Sequence, residues 1–304
     1  MSVLAYLLLA PLACDGGSDD SKDTEDTASG SGRDFSDFVS TTTAYVGDQT
    51  CIGGSFGDVD PSKQVDVTLN GEVRNFEDDE PVPDATVKFW FSDDISASID
   101  VEETADANGA FSTTVPVCEP IGYGTFTPPE WEETVDTYEV HQIFGYEEDG
   151  VASEWVNSVS RATANIIPAV IGVEWDETTA IIAGTAYDCA TGTDGESEFF
   201  GHAQIFVHDG NGTPPDATTV YYFSDLDLPV ANETQADVNP GNGLWVAVNV
   251  PTGTWTVEMW GYDGAEYVNL GSTILTIKPG SVNISNIFAG RTDGLGYPDS
   301  CLAE

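Results

Sequence analysis

A chain of 304 residues, 40% of them apolar, is long enough to bury the cores of two ordinary domains. It carries 53 acidic and 8 basic residues, a formal net charge of −45, so charge repulsion excludes nucleic acids and anionic lipid headgroups as partners. The longest apolar run, Val3 to Ala13, falls short of the ~20 residues that a membrane-spanning helix needs. We therefore predict that nothing crosses the membrane after maturation.

The first element of the chain is this apolar run, which ends at a cysteine. Residues 3–12, VLAYLLLAPL, have the length of a signal-peptide core, and the small residue Ala13 directly precedes Cys14. The ending LAC, followed by an acidic stretch, resembles a bacterial lipoprotein signal. That resemblance implies removal of residues 1–13 and diacylation of Cys14. The alternative is an ordinary signal peptide with an incidental cysteine.

Residues 14–36 are predicted to be a disordered acidic tether. The sequence DGGSDDSKDTEDTASGSGRDFS has low hydrophobicity and high charge, and such a segment cannot bury enough apolar surface to offset the entropy of ordering. A tether of this kind holds the folded part away from the membrane surface. We expect an exported protein of the bacterial cell envelope that contacts the membrane through its lipid anchor only. Whether it sits at the inner or the outer membrane stays open.

The five cysteines predict disulfides in an exported protein. Acylation of Cys14 leaves Cys51, Cys118, Cys189 and Cys301 as an even set, for which three connectivities are possible. Since domains fold as units, we expect local pairing of Cys51 with Cys118 and of Cys189 with Cys301.

Beyond the tether the sequence indicates short strands, because Thr, Val, Ile and aromatic residues come in short runs separated by Gly, Pro, Asn and Asp. A repeat of roughly 110 residues also emerges. VTLNGEVRNFEDDEPVPDATVKFWFSDD aligns with IIAGTAYDCATGTDGESEFFGHAQIFVHDG, so that Gly71 corresponds to Gly184. A second block pairs Phe111 with Trp245, and a third aligns FGYEEDG with WGYDG. The sequence predicts an all-β protein.

This order of motifs resembles the carboxypeptidase regulatory-like domain over residues 65–173 and again over 178–291. The resemblance implies two tandem transthyretin-like or Ig-like β-sandwiches of about seven strands each. We place them at 37–175, with 37–64 as an N-terminal extension of the first domain, and at 176–304. Each copy is predicted to close on a strand that contains a proline, Pro168 or Pro279.

Strand alternation suggests which aromatic side chains face water. In VKFWF, Trp90 lies opposite the apolar face, and in WTVEMWGY the residues Trp260 and Tyr262 lie opposite Val257. Together with Trp245 they are candidate ligand-binding residues, since aromatic rings on an outer face can stack on a sugar or dock a protein. The alternative is that they pack against loops or the neighbouring repeat.

No catalytic residues are predicted. None of the three histidines begins an H-x-x-E or H-E-x-x-H pair, and no G-x-S-x-G is present. Calcium is the one metal that the acidic composition favours, although Asp, Asn and Gly are also ordinary turn residues. The candidate calcium ligands are Asp58, Asp60, Asp106, Asn108, Asp237 and Asn239.

These observations predict a non-catalytic, lipid-anchored binding or adhesion protein whose partner is an envelope protein or a glycan. Two alternatives stay open, a carbohydrate-binding module and a structural spacer. The acid-rich composition also suits a halophile.

Overall fold

The computed structural model describes residues 43–54, 57–127, 134–190, 198–216, 218–231, 234–293 and 295–303. The predicted signal peptide, the tether and Cys14 lie outside the described residues. The described residues all fall within one unit, Phe35–Glu304.

The described part of the chain is almost entirely β-structure, as predicted. Its first half contains seven strands: β1 (Asp66–Asn75), β2 (Thr86–Trp90), β3 (Val101–Thr104), β4 (Ala110–Pro116), β5 (Ile121–Phe126), β6 (Asp136–Gln142) and β7 (Val151–Ser158). A single helix, α1 (Arg161–Val170), follows. The second half contains β8 (Ala180–Tyr187), β9 (Gln204–His208), β10 (Thr219–Phe223), β11 (Pro229–Val230), β12 (Leu244–Val250), β13 (Gly253–Tyr262), β14 (Tyr267–Ile277), β15 (Ser281–Ile284) and β16 (Ile287–Phe288), and ends in a short 3-10 helix (Asp299–Cys301). No helix in this part is long and apolar enough to cross a membrane.

The strands form three sheets. A central sheet runs β11-β10-β12-β8-β15-β6-β5-β2-β3, with β16 beside β8. Two three-stranded sheets, β4-β1-β7 and β14-β13-β9, complete the structure. The parallel pairing of β15 with β6 makes the central sheet continuous across position 175/176, where the sequence predicts a domain boundary. That boundary stays a prediction.

The smaller sheets cover opposite faces of the central sheet. Consecutive residues of a strand point to opposite faces, and in β2 Phe89 packs in the core under β4-β1-β7, whereas Trp90 packs in the core under β14-β13-β9. The same split occurs in β8, where Ile182 faces β14-β13-β9 and Ile181 packs in a third cluster with residues of α1. The central sheet is therefore buried on both faces.

The first two aligned blocks contain the same kind of contact between a glycine and an aromatic residue. Gly71 of β1 pairs directly with Phe111 of β4, and Gly184 of β8 pairs directly with Trp245 of β12. A Cβ built on either glycine would lie within 3.1 Å of the aromatic ring across from it. Each glycine therefore makes room for an aromatic side chain on the neighbouring strand.

The third block and both prolines lie in places that the sequence did not predict. WGYDG covers the end of β13 and the start of the β13–β14 turn, whereas FGYEEDG joins β6 to β7, which belong to different sheets. The third block is therefore not structurally equivalent in the two halves. The predicted strand at Pro168 is wrong, because this proline lies inside α1, and Pro279 lies in the turn before β15.

The disulfide pairing differs from the predicted one. Cys51 is joined to Cys189, and Cys118 to Cys301. One bond therefore links the N-terminal segment to the second half of the chain, and the other links the C-terminal segment to the first half. The prediction of local pairing was wrong because each terminal segment is bonded to the half of the chain that is farther from it in sequence.

Residues 43–54 show where the N-terminal segment goes. Tyr45 packs in the core under β14-β13-β9, with its ring 5.5 Å from that of Phe200, and the backbone of Val46 bridges to Gly201. This part of the predicted extension of the first sandwich therefore packs on the second half. At the opposite end, Cys301 is buried in the core under β4-β1-β7.

Candidate binding surface

The three tryptophans predicted to bind a ligand are buried. Trp90, Trp245 and Trp260 are only 4%, 0% and 6% exposed. Trp90 and Trp245 lie in the core under β14-β13-β9, because that core covers the face of β2 that the sequence assigned to solvent. The Trp260 indole donates a hydrogen bond to Glu258 at 2.9 Å, and Tyr262 is partly exposed. The predicted stacking platform on Trp90, Trp245 and Trp260 is therefore wrong.

Trp155, which the sequence analysis did not select, is the exposed tryptophan of the described chain. It is 57% exposed and lies on β7, at one edge of the β4-β1-β7 sheet. A shallow groove with a volume of about 700 Å³ crosses this sheet. The residues that line it include Asn70, Glu72, Asp106, Ser112, Ser153 and Trp155.

Register places the polar side chains of this face in rows. Ser112, Asn70 and Ser153 lie directly across from one another on β4, β1 and β7. The next row along the strands is Ala110, Glu72 and Trp155. Neighbouring strands are ~4.8 Å apart and the rows ~6.7 Å apart. We call this pair of rows the Trp155 face.

The Trp155 ring is held from one side. The guanidinium carbon of Arg74 lies 4.0 Å from the ring centroid, a cation–π contact. Arg74 is itself fixed by Glu72, since its Nη2 donates to Glu72 Oε2 at 3.1 Å and its Nε lies 3.1 Å from Oε1. The small Ala110 at the far end of the same row leaves space over the sheet. The indole is thus orientated but not covered.

The edge of β7 is fastened to the central sheet by a buried carboxyl group. Glu139 of β6 is 5% exposed, and its Oε1 accepts hydrogen bonds from Asn157 Nδ2 at 2.8 Å and from Asn157 N at 3.3 Å. Burial raises the pKa of Glu139 to about 7, against the opposing effect of the hydrogen bonds from Asn157 and Tyr123. Asn157 follows Trp155 by two residues, so this contact fixes the strand that carries the indole.

Stability should therefore depend on pH through Glu139. A carboxyl group whose pKa is raised on folding favours the folded state most when protonated, so its contribution is full below the ordinary value of 4.5 and is lost as the pH rises to about 7. The variant Glu139→Gln stays neutral at every pH. When the pH is raised from 4 to 8, we expect its free energy of unfolding to increase by about 3 kcal/mol relative to that of the wild type. Urea unfolding at both pH values measures this difference.

The exposed Glu148 provides the matched control. Glu148→Gln should track the wild type over the same pH range, because its side chain is surrounded by water. An equal change between pH 4 and pH 8 for the wild type and for Glu139→Gln would contradict the assignment of this titration to Glu139.

The first four candidate calcium ligands act in turns or through the backbone. Asp106 Oδ1 accepts hydrogen bonds from the backbone N–H of Asn108 at 2.7 Å and of Ala110 at 3.0 Å, and these bonds lower the pKa of Asp106. Asp60 Oδ1 caps its own turn in the same way, accepting from Ser62 N at 2.9 Å. The backbone oxygen of Asp58 accepts from the C-terminal segment.

The other candidate pair has side-chain partners. Asp237 Oδ1 lies 3.3 Å from His202 Nδ1, and the Asn239 amide donates to Asp225 Oδ1 at 2.6 Å. Within the described ranges no three His, Cys, Asp or Glu side chains come close enough to share a metal ion. The structure therefore gives the predicted calcium sites no geometric support.

The remaining histidines also lie against carboxylates. His141 Nδ1 is 2.5 Å from Asp93 Oδ2, and His208 Nε2 is 3.3 Å from Glu258 Oε2. No histidine or cysteine is among the described residues that line the groove at the Trp155 face. Its chemistry is that of hydroxyl, amide and carboxylate groups beside one aromatic ring.

Comparisons with known proteins find distant similarity to solved structures. No protein-family model matches the chain, and no curated protein matches it in sequence. Three solved structures each cover 74% of the chain. The Bacillus anthracis TIE protein is 12% identical with a TM-score of 0.24, and this chain spans about a third of it, 34%. The shaft pilin SpaA from Lactobacillus rhamnosus GG is 12% identical with a TM-score of 0.23 over 98% of its length. The major pilin subunit BcpA of Bacillus cereus is 10% identical with a TM-score of 0.24 over 99%.

Proposed function

We propose that this chain is a non-catalytic, exported binding protein of the bacterial cell envelope, which holds its ligand on the Trp155 face. The observation that carries the proposal is the exposed indole of Trp155, held by Arg74 at one end of a polar groove. An exposed aromatic side chain that is already orientated loses little entropy on binding, which makes it an effective contact residue.

The proposal includes a duplicated architecture of two regulatory-like β-sandwiches. It is supported by the equivalent glycine–aromatic pairs, Gly71 with Phe111 and Gly184 with Trp245. It is also supported by recurring topology, since β1 pairs antiparallel with β4 and parallel with β7, just as β8 pairs with β12 and β15. The groove at the Trp155 face lies on the first of the two units.

Anchoring through Cys14 belongs to the same proposal. It rests on the apolar run, the LAC ending and the acidic stretch that follows. Because one acyl chain binds membranes only marginally, a stable anchor depends on diacylation of this cysteine. The second candidate function is a structural spacer, which is favoured by the disulfides that fasten the two terminal segments to opposite sandwiches.

Retention by native envelopes tests binding against the spacer function. The full chain, mixed with washed envelopes of its source cells and sedimented, should bind saturably, and Trp155→Ala should weaken retention at least about 10-fold. Leu226→Ala is the matched control, because Leu226 is 76% exposed in the other half of the chain. Equal retention of the wild type and Trp155→Ala would overturn the binding function at this face. Turnover of peptide, ester or glycoside substrates that copurifies with the chain would overturn the non-catalytic part.

A further inference from the structure

We infer that the Trp155 face binds a neutral oligosaccharide, with one sugar ring stacked on the Trp155 indole and its hydroxyl groups bonded to the row Ser112, Asn70 and Ser153. This inference rests on the proposed function and names the class of ligand. It is independent of the tryptophans that the sequence pointed to, all of which are buried.

The aromatic part of the face suits the apolar side of a pyranose ring. Aromatic rings bind through their faces by dispersion and by contact with C–H groups of positive character. Arg74 lies against the Trp155 ring at 4.0 Å, and the Glu72–Arg74 ion pair keeps it there. The indole is thereby fixed in orientation while 57% of the residue remains accessible.

The polar part of the face suits sugar hydroxyl groups, which donate and accept hydrogen bonds at once. Ser112 Oγ donates to Asn70 Oδ1 at 3.0 Å, so these two polar side chains are linked within the row. Serine hydroxyls act as donor and acceptor, and an amide supplies both functions within one side chain. A ligand that offers only hydrogen-bond donors or only acceptors would use only some of the polar groups in this row.

Charge argues for a neutral ligand. The groove is lined by the acidic residues Glu72 and Asp106, and the nearby Arg74 is paired with Glu72. The whole chain carries a formal charge of −45. Uronic acids, sulfated sugars and other anionic glycans would be repelled over a Debye length of about 10 Å at moderate salt. The Arg74 charge is already neutralised by Glu72, so it offers no anion site.

The dimensions of the face accommodate more than one sugar ring. The row Ser112–Asn70–Ser153 lies ~6.7 Å from the row that holds Trp155, and each row spans three strands, or ~10 Å. A chain of sugars that crosses the sheet obliquely from Trp155 can therefore place a second ring over Asn70. The groove is open rather than enclosed, which favours binding along a polymer.

Titration with defined oligosaccharides tests the inference. Cellohexaose, maltohexaose and chitohexaose are added to the full chain in calorimetry, and at least one should bind with a micromolar to millimolar Kd. Trp155→Ala should weaken that binding at least about 10-fold and Asn70→Ala about 3- to 10-fold. Leu226→Ala should bind as the wild type does, and circular dichroism should show that all three variants are folded.

The outcomes separate the two proposals. Absence of binding to every neutral hexasaccharide at millimolar concentration, together with envelope retention that still depends on Trp155, would overturn the sugar inference and leave the binding function standing. Binding of a hexasaccharide that is equally strong in Trp155→Ala would overturn the assignment to this face. Stronger binding of an anionic hexasaccharide than of its neutral counterpart would overturn the argument from charge.

Discussion

Loss of the two disulfides should cost this protein a large part of its stability. The bonds Cys51–Cys189 and Cys118–Cys301 close loops of 138 and 183 residues, and in the chain-entropy description a loop of that size contributes up to about 5 kcal/mol. A folded domain is commonly stable by only 5–15 kcal/mol in total. Reduction under native conditions should therefore lower the urea midpoint sharply. Urea unfolding with and without reductant measures the effect.

Single substitutions test the connectivity itself. Cys51→Ser should leave Cys189 as a free thiol that reacts with a maleimide under denaturing, non-reducing conditions, and Cys118→Ser should free Cys301. If Cys51→Ser instead exposed the thiol of Cys118, local pairing would be correct and the crossed arrangement wrong.

The second large effect is expected at Gly184. A Cβ at this position would lie 2.0 Å from the backbone oxygen of Ser285 and 3.1 Å from the Trp245 ring. Because the backbone between β15 and β16 would have to move, Gly184→Ala should destabilise the fold by more than ~3 kcal/mol. Thermal or urea unfolding of the purified variant measures this loss.

The equivalent glycine of the first half sharpens the test. At Gly71 the obstacle is the Phe111 side chain, 2.1 Å from the added Cβ, and a ring can move more easily than a strand. Gly71→Ala should therefore lower the free energy of unfolding by less, about 1–3 kcal/mol. Gly241→Ala, whose nearest obstacle is the Asn239 side chain at 3.3 Å, serves as the control and should be close to neutral. A Gly184→Ala protein as stable as Gly241→Ala would contradict the packing described here.

The local parts of the fold were predictable from the sequence. Alternation in β1 places Val67, Leu69 and Val73 inside, and all three are buried. Gly71 and Gly184, which the sequence aligns, each lie directly across from an aromatic residue. These features depend on neighbouring residues and on the two-residue period of a strand, which a sequence displays directly.

The contacts between the halves were not predictable in the same way. Alternation divides β2 into two faces but does not tell which face a distant segment covers, so Trp90 was assigned to solvent although it packs against the second half. The predicted disulfide pairing was wrong for a similar reason. The path of a terminal segment depends on the residues it packs against, such as Phe200 against Tyr45.

Trp155 could have been found from the sequence. In VASEWVNS the residues Ala152 and Val156 form the buried side of β7. The same alternation that was applied to β2 places Ser153 and Trp155 together on the polar side.

Ligand binding at the Trp155 face should cover the Trp155 side chain. Oxidative footprinting of the full chain, with and without saturating envelope material, measures this directly by mass spectrometry of each tryptophan-containing peptide. The buried Trp90 and Trp245 serve as internal controls and should stay weakly oxidised in both conditions. Oxidation of Trp155 should be strong in the free protein and should fall at least about 5-fold when the ligand is bound. Unchanged oxidation of Trp155 in the bound protein would show that the ligand does not cover this residue.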